Sequence, residues 1–181
     1  MWRLATLALW LLLAATADAL LVTSPRSIAG THIACRPGEF AFSSATRAVS
    51  GAIRRLPAAA QGCAPYGASQ RGAVRGRVAL VDRGGCTFAT KARHAEHAGA
   101  RAMVVKNNVQ GELFSMTADD STSPLLPSVL VSQADGAWLA ACGCNVTIAE
   151  SCATSYANGV ASACHTFSQS RRGAITDEQE Q

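Results

Sequence analysis

The sequence predicts an α/β fold built around one βαβ unit, and three features of the stretch from Arg77 to Asn108 carry that reading. Val78, Leu80 and Val81 form a short apolar run rich in β-branched residues, closed by the turn-forming pair Gly84-Gly85. A segment of helical period follows. At 100° per residue, Phe88, Ala92, Ala95 and Gly99 fall within about 60° of one another, with His97 on the far side. Met103 to Val105 then repeats the apolar run, and two strands joined by a helical crossover lie parallel with a right-handed connection.

The remaining elements are read in chain order. Trp2-Arg3, an apolar run from Leu4 to Ala17 and the small-x-small triplet Ala17-Asp18-Ala19 read as a secretory signal peptide over 1–19, removed so that the mature chain begins at Leu20. The run is short of the roughly 20 residues of a spanning helix. Leu20 to Pro25 is expected as a first strand, Cys35 to Gly38 as a turn, and Gly38 to Thr46 as a second strand. Gly62 to Gly76, rich in Gly, Pro and Arg, reads as a loop. In the central unit Thr87 is the expected N-cap and Gly99 the stop, with Phe88 as the one large anchor among small residues that let the helix approach the sheet.

Val109 to Pro127 reads as an exposed connection, unusually long for a compact domain, in which Asp119, Asp120, Pro124 and Pro127 oppose regular structure. Ser128 to Ser132 is expected as a strand, Asp135 to Ala141 as a short helix with Trp138 and Leu139 inward, and Asn145 to Ile148 as a last strand. A domain over 20–150 is then followed by a cysteine-containing extension and polar tail over 151–181, whose end reads as disordered.

The 181 residues are 49% hydrophobic, enough for one packed domain, while only 6% are aromatic, so Val, Leu and Ala must build the core. Sixteen Lys and Arg against twelve Asp and Glu give +4, and loss of Arg3 and Asp18 with the signal leaves that value unchanged. Arg71, Arg75, Arg77 and Arg83 crowd the motif without aromatic interleaving, so a solvated edge is a better account than nucleic-acid binding. All seven cysteines, Cys35, Cys63, Cys86, Cys142, Cys144, Cys152 and Cys164, lie beyond the signal and read as disulfides of an oxidising compartment. Seven is odd, so one is free or pairs outside the chain, and spacing alone does not fix the connectivity.

No catalytic constellation emerges. His94-Ala95-Glu96-His97 is neither HExxH nor HxxEH, and its H-x-E fragment lacks the P-C-x-x-C partner of a zinc deaminase, so both histidines read as exposed helical residues. Cys142-Gly143-Cys144 has no second ligand pair at zinc spacing and reads as disulfide-forming. The Cys164-His165 pair lacks an orienting group, and Asp119-Asp120 lacks the further oxygens of a calcium loop. No metal or cofactor is expected. Asn145-Val146-Thr147 is the sole N-x-[ST] sequon, making Asn145 a glycosylation candidate.

The string from Val78 to Asn108 closely resembles the core of the protease-associated domain, and Ser128 to Ala141 resembles that family's closing strand and short helix. Its most specific piece is Arg83-Gly84-Gly85-Cys86-Thr87-Phe88, the RGxCxF pattern. The resemblance implies a β/β/α domain with an open β-barrel-like core, best matched over 78–141, and a Cys63–Cys86 disulfide whose closure contributes about 3 kcal/mol by the chain-entropy argument. It implies a non-catalytic module that binds polypeptide cargo or substrate, or a protease. In vacuolar sorting receptors the RGxCxF loop lies on the cargo surface, which points to Arg83, Gly84, Gly85 and Cys86 here, helped by the loop from Glu112 to Ser123. Phe88 also matches, although helical phase turns it inward. The expected place is the exterior or the endomembrane lumen on the vacuole and Golgi route, with no membrane span in the mature chain. The alternative is the lumenal fragment of a signal-peptide-peptidase-like membrane protease whose catalytic part is missing. A third reading is a stand-alone secreted glycoprotein that engages a partner through its unpaired cysteine.

Overall fold

A computed structural model describes residues 19–40, 48–118 and 124–148. Seven strands form a closed barrel in the order β1-β2-β6-β5-β4-β3-β7. These are β1 (Ala19–Ser24), β2 (His32–Pro37), β3 (Val49–Arg55), β4 (Val78–Asp82), β5 (Ala102–Lys106), β6 (Ser128–Val131) and β7 (Asn145–Ile148). Three α-helices join them, α1 (Ala68–Val74), α2 (Phe88–His97) and α3 (Gln133–Cys142), with one 3-10 turn at Pro57–Ala59. The ring is closed where an open one was expected, because β7 bonds antiparallel to both β1 and β3.

The βαβ unit is present as read. β4 pairs parallel with β5 in the register Leu80 to Val104, and parallel pairing extends on either side, β3 to β4 and β5 to β6. Strand alternation then sorts the side chains into two layers. Val78, Leu80, Val104, Val129 and Val131 point into the barrel with Leu20, Ile33 and Ile148. Ala79, Val81, Met103, Val105 and Leu130 point outward against α2, which contributes Ala92 and Ala95, with Ala98 at its C-cap. Such small residues bring the helix close to the sheet. Phe88 is only half-buried at the margin of this layer, against Phe114. Thr87 Oγ1 accepts the Thr90 N–H as the N-cap, and Gly99 takes φ +79° just beyond the helix. α3 lends Leu139 to the interior cluster, with Trp138 half-buried beside it.

Several boundaries differ from the sequence reading. Residues 35–37 are strand rather than turn, since β2 runs through Cys35 and pairs it with Val131 of β6. Glu39 and Phe40 are turn residues, and the rest of the expected strand to Thr46 lies outside the described residues. β3 and α1 were not foreseen. β3 mixes small and charged residues because one neighbour is β7 and its outer side is partly solvated, while α1 buries only Val74. The connection after β5 is not simply exposed: Met116 and Leu126 are buried in the outer layer, and Gly38 and Met116 form a parallel bridge. The signal segment 1–18, Asp119, Asp120, Ser123 and everything after Ile148 lie outside the described residues, whereas Ala19 opens β1 opposite Ala34.

Candidate functional site

Because β3 to β6 run parallel, their carboxyl ends share one rim of the barrel, and the turns leaving it gather the polar residues. Arg55, Asp82 and Lys106 end β3, β4 and β5 in successive positions. Asp82 Oδ2 accepts a hydrogen bond from Arg55 Nη2 at 2.7 Å, and Lys106 Nζ sits 3.1 Å from Oδ1. The lysine contact is Coulombic, since Oδ1 has no well-directed donor among the described residues. Partial burial alone would raise the Asp82 pKa, but the Arg55 hydrogen bond and the nearby Arg55 and Lys106 charges outweigh it and hold the carboxyl below its ordinary 3.8. The lysine reaches this position across α3: a Cβ on Gly136 would meet Lys106 Cβ at 2.5 Å.

Past Asp82 the chain turns through Arg83-Gly84-Gly85-Cys86. Gly84 and Gly85 take φ +110° and +80°, the left-handed region that glycine enters freely. At Gly85 a Cβ would also strike Gln61 Oε1 and lie 3.1 Å from Cys63 Sγ, so this position is closed to side chains by space as well as by dihedral. Cys63 and Cys86 form the disulfide that the family resemblance implied, with Cα atoms 5.6 Å apart. Cys142 and Cys144 pair with each other, and Cys35 is also disulfide-bonded.

Arg83 is half-buried and fixed rather than free. Its backbone N–H donates to Lys106 O, Nη1 donates to Asn107 Oδ1 at 2.9 Å, and the guanidinium lies 4.6 Å from the centre of the Phe114 ring. Asn107 is buried, and its Oδ1 also accepts the Asn108 N–H. Phe114 in turn meets Phe88 at 6.0 Å between ring centres. The remaining Arg83 donors make no hydrogen bond among the described residues, which leaves part of the fork for a ligand.

Lys91 was missed by the sequence reading. It is fully buried on α2, and its Nζ donates to Gly84 O at 2.5 Å and to Gln61 O at 2.6 Å, with Cys63 Sγ 3.4 Å away. One ammonium therefore ties the loop before Cys63 to the glycine turn, behind the disulfide. Burial lowers its pKa below 10.5, opposed by the Asp82 charge. The signal was available: Lys91 lies 40° from Ala95 on the apolar stripe, where an unpaired charge has no place. His94 is not the exposed residue expected, because its Nδ1 lies 3.0 Å from Gly62 O on the same loop; His97 is exposed.

Beside this turn the segment Ala58 to Pro65, with Gln70 and Asp82, lines an open groove of about 550 Å³. Of the residues expected at a binding surface, Arg83, Gly84, Gly85 and Cys86 thus form one half-exposed turn at the groove's edge, and Glu112 is exposed in the following connection. Asn145 is exposed on β7, paired with Ala52 and Ser24. Among the described residues no group of three or more His, Cys, Asp or Glu could hold a metal ion, and no helix is long and apolar enough to cross a membrane.

A profile of the PA domain matches residues 49–139, from β3 to α3. The chain belongs to the PA domain family. Vacuolar-sorting receptor 2 of Arabidopsis thaliana is 35% identical over 129 residues, covering 64% of this chain and 20% of the receptor. Signal peptide peptidase-like 2 of the same plant is 41% identical over 69 residues, 36% of this chain and 13% of that protein. Probable leucine aminopeptidase 2 of Aspergillus fumigatus is 44% identical over 66 residues, 35% and 13% of the two chains. This PA domain chain therefore spans a fifth or less of the length of these curated relatives. A zinc aminopeptidase from Bacillus subtilis shares the fold, with a TM-score of 0.55 at 20% identity over 73% of this chain and 29% of that one.

Proposed function

We propose that this PA domain is a non-catalytic polypeptide-recognition module of the secretory pathway, and that it binds at the rim formed by Arg83, Gly84, Gly85, Cys86 and the adjoining groove. One observation carries the reading: a preset turn with exposed glycine backbone and a partly committed guanidinium borders an open groove lined by small residues. Backbone groups of Gly84 and Gly85 suit an extended chain, and Arg83 suits a carboxylate. Relatives named as sorting receptors and as peptidases both support a polypeptide ligand.

The test is peptide display against the purified domain, followed by binding measurements on the selected peptides. Arg83→Ala is expected to weaken them about tenfold or more, with a small loss of stability from the Asn107 and Phe114 contacts. Equal affinity in wild type and variant would remove the site. Secretory routing belongs to the same proposal, with 1–19 removed and Asn145 glycosylated; a mass shift on N-glycosidase treatment checks the second point.

A second reading, the lumenal part of a membrane protease, is supported by the 41% identity to a signal peptide peptidase-like protein of which this chain covers 13%. Intact mass of the polypeptide recovered from its own cells separates the two. A much larger membrane-bound species would favour the protease.

A further inference from the structure

The arginines before β4 and the histidines of α2 looked unrelated in the sequence, yet the fold brings them to one place. Between Gln61 and Arg101 the chain holds seven Lys and Arg against two carboxylates. Asp82 is committed to Arg55 and Lys106 at the opposite end of α2, and Glu96 Oε1 accepts the Leu125 N–H at 3.2 Å. Arg71, Arg75 and Arg101, around the carboxyl end of α2, form no salt bridge with a carboxylate among the described residues.

A recess of about 50 Å³ lies between α1 and α2, lined by Pro65, Tyr66, Arg71, His94, His97 and Ala98. Its floor is apolar, from Pro65, the buried Tyr66 and Ala98, while Arg71 and His97 are exposed at its rim. His94 is held in place by its bond to Gly62 O, and that loop is held by Lys91, so one wall is rigid. Exposed Arg75 stacks its alkyl chain over Gly99, where a Cβ would lie 3.4 Å from Arg75 Cγ. Arg101, also exposed, is joined there through its N–H to Arg77 O. Small volume, apolar floor and cationic rim together describe a seat for a short methylene stem ending in a negative charge.

We propose that this recess accepts an Asp or Glu side chain of an acidic polypeptide, making it a second contact site at the other end of α2 from the disulfide rim. Arg71 supplies a guanidinium fork for the carboxylate, His97 one N–H, and Arg75 and Arg101 the surrounding field for neighbouring acidic residues. An acidic polypeptide fits better than a sulfated glycan, because the apolar floor is filled by a methylene stem and not by a sulfate on a sugar ring.

The experiment uses a fluorescein-labelled peptide of alternating Glu and Leu, with anisotropy read at low salt. Arg71→Gln combined with His97→Gln is expected to weaken binding about tenfold or more. Arg26→Gln combined with Arg54→Gln, exposed cations elsewhere on the barrel, is expected to change it less than about twofold. Circular dichroism checks that both pairs remain folded. Equal weakening by the two pairs would reduce the effect to net charge and overturn the site, as would absence of binding by the wild type. A sulfated oligosaccharide that binds more tightly, with the same dependence on Arg71 and His97, would overturn the ligand class. Arg83→Ala leaves this contact intact, so its result stands apart from that of the disulfide rim.

Discussion

Replacing Lys91 by Met tests whether a buried ammonium or the neighbouring disulfide organises the recognition rim. The variant keeps the volume of the side chain and removes its charge and donors. Two carbonyls, Gly84 O and Gln61 O, lose hydrogen bonds of 2.5 and 2.6 Å to a charged donor, and Cys63 Sγ loses a weaker contact. Hydrogen bonds to charged groups contribute about 1.5–3 kcal/mol each, so the gross loss is about 3–6 kcal/mol. Against this stands relief from holding an ammonium out of water, the same cost that lowers the Lys91 pKa. A net destabilisation of about 2–3 kcal/mol is expected, corresponding to a fall in Tm of about 6–15 °C for a domain of this size.

Urea denaturation of the oxidised protein, followed by Trp138 fluorescence, measures the difference. The pH dependence has a definite sign. Lys91 titrates below 10.5 in the folded chain, so between its folded value and 10.5 the unfolded chain holds more protons, and wild-type stability rises with pH across that window. The Met variant lacks this rise, so its deficit widens toward pH 10.5. A Met variant as stable as wild type would show that the ammonium's burial cancels its bonds and that the Cys63–Cys86 bridge holds the rim alone.

The other expectations concern the same rim. Asp82→Asn leaves Arg55 and Lys106 facing each other and should cost about 1–2 kcal/mol at neutral pH. Because the folded Asp82 pKa lies below 3.8, its contribution is present above 3.8 and lost as pH falls through the folded value; acid titration of unfolding should show that step in wild type and not in the Asn variant. Gly85→Ala should destabilise by about 1–3 kcal/mol through positive φ and the collision with Gln61, whereas Gly72→Ala, in open space on α1, should stabilise by about 0.5–1 kcal/mol; thermal melts of the pair read the opposite signs. Gly136→Ala breaks the usual helix rule: the added methyl displaces the Lys106 stem, so melting should fall and the Asp82 acid step should move toward higher pH.

What the sequence made legible follows the strength of its periodic signals. The βαβ unit was readable because β4 and β5 are buried on both faces and spell continuous apolar runs, and because Thr87 and Gly99 bracket a helix with a clear small-residue stripe. β7 was legible as a strand but its ring-closing role was not, since pairing to both β1 and β3 is a long-range fact with no local mark. β2 was hidden by Pro37, which usually signals a turn and here ends an ordinary strand paired with β6. At the site, the RGxCxF residues announced themselves through the turn they require. Asn107 and Phe114 did not, because what makes them matter is the Arg83 side chain reaching them from another strand end. Lys91 falls between these cases: its phase on the helix was computable, yet a lysine reads as solvent-facing until its acceptors are known.

Those acceptors explain why the rim can serve recognition. Loops at the ends of parallel strands are where binding surfaces commonly lie, but a mobile loop must be ordered at the moment of binding, which weakens the complex. Here each crossing is already fastened: Arg55 to Asp82 between β3 and β4, Arg83 to Asn107 between the turns after β4 and β5, and Lys91 with the Cys63–Cys86 bridge between the groove segment and the glycine turn. The fastenings use side chains and, within the glycine turn, the Gly84 carbonyl, and they leave Gly85 exposed. If preorganisation is the purpose, loosening a fastening that does not touch the ligand should slow the rim's assembly without altering its chemistry. Lys91→Met should then weaken selected peptides mainly through a slower association, and a small peptide contacting only Arg83 should lose less than one that spans the groove. Equal losses for both, read by stopped-flow binding, would mean that the rim adjusts to its ligand and that rigidity is incidental.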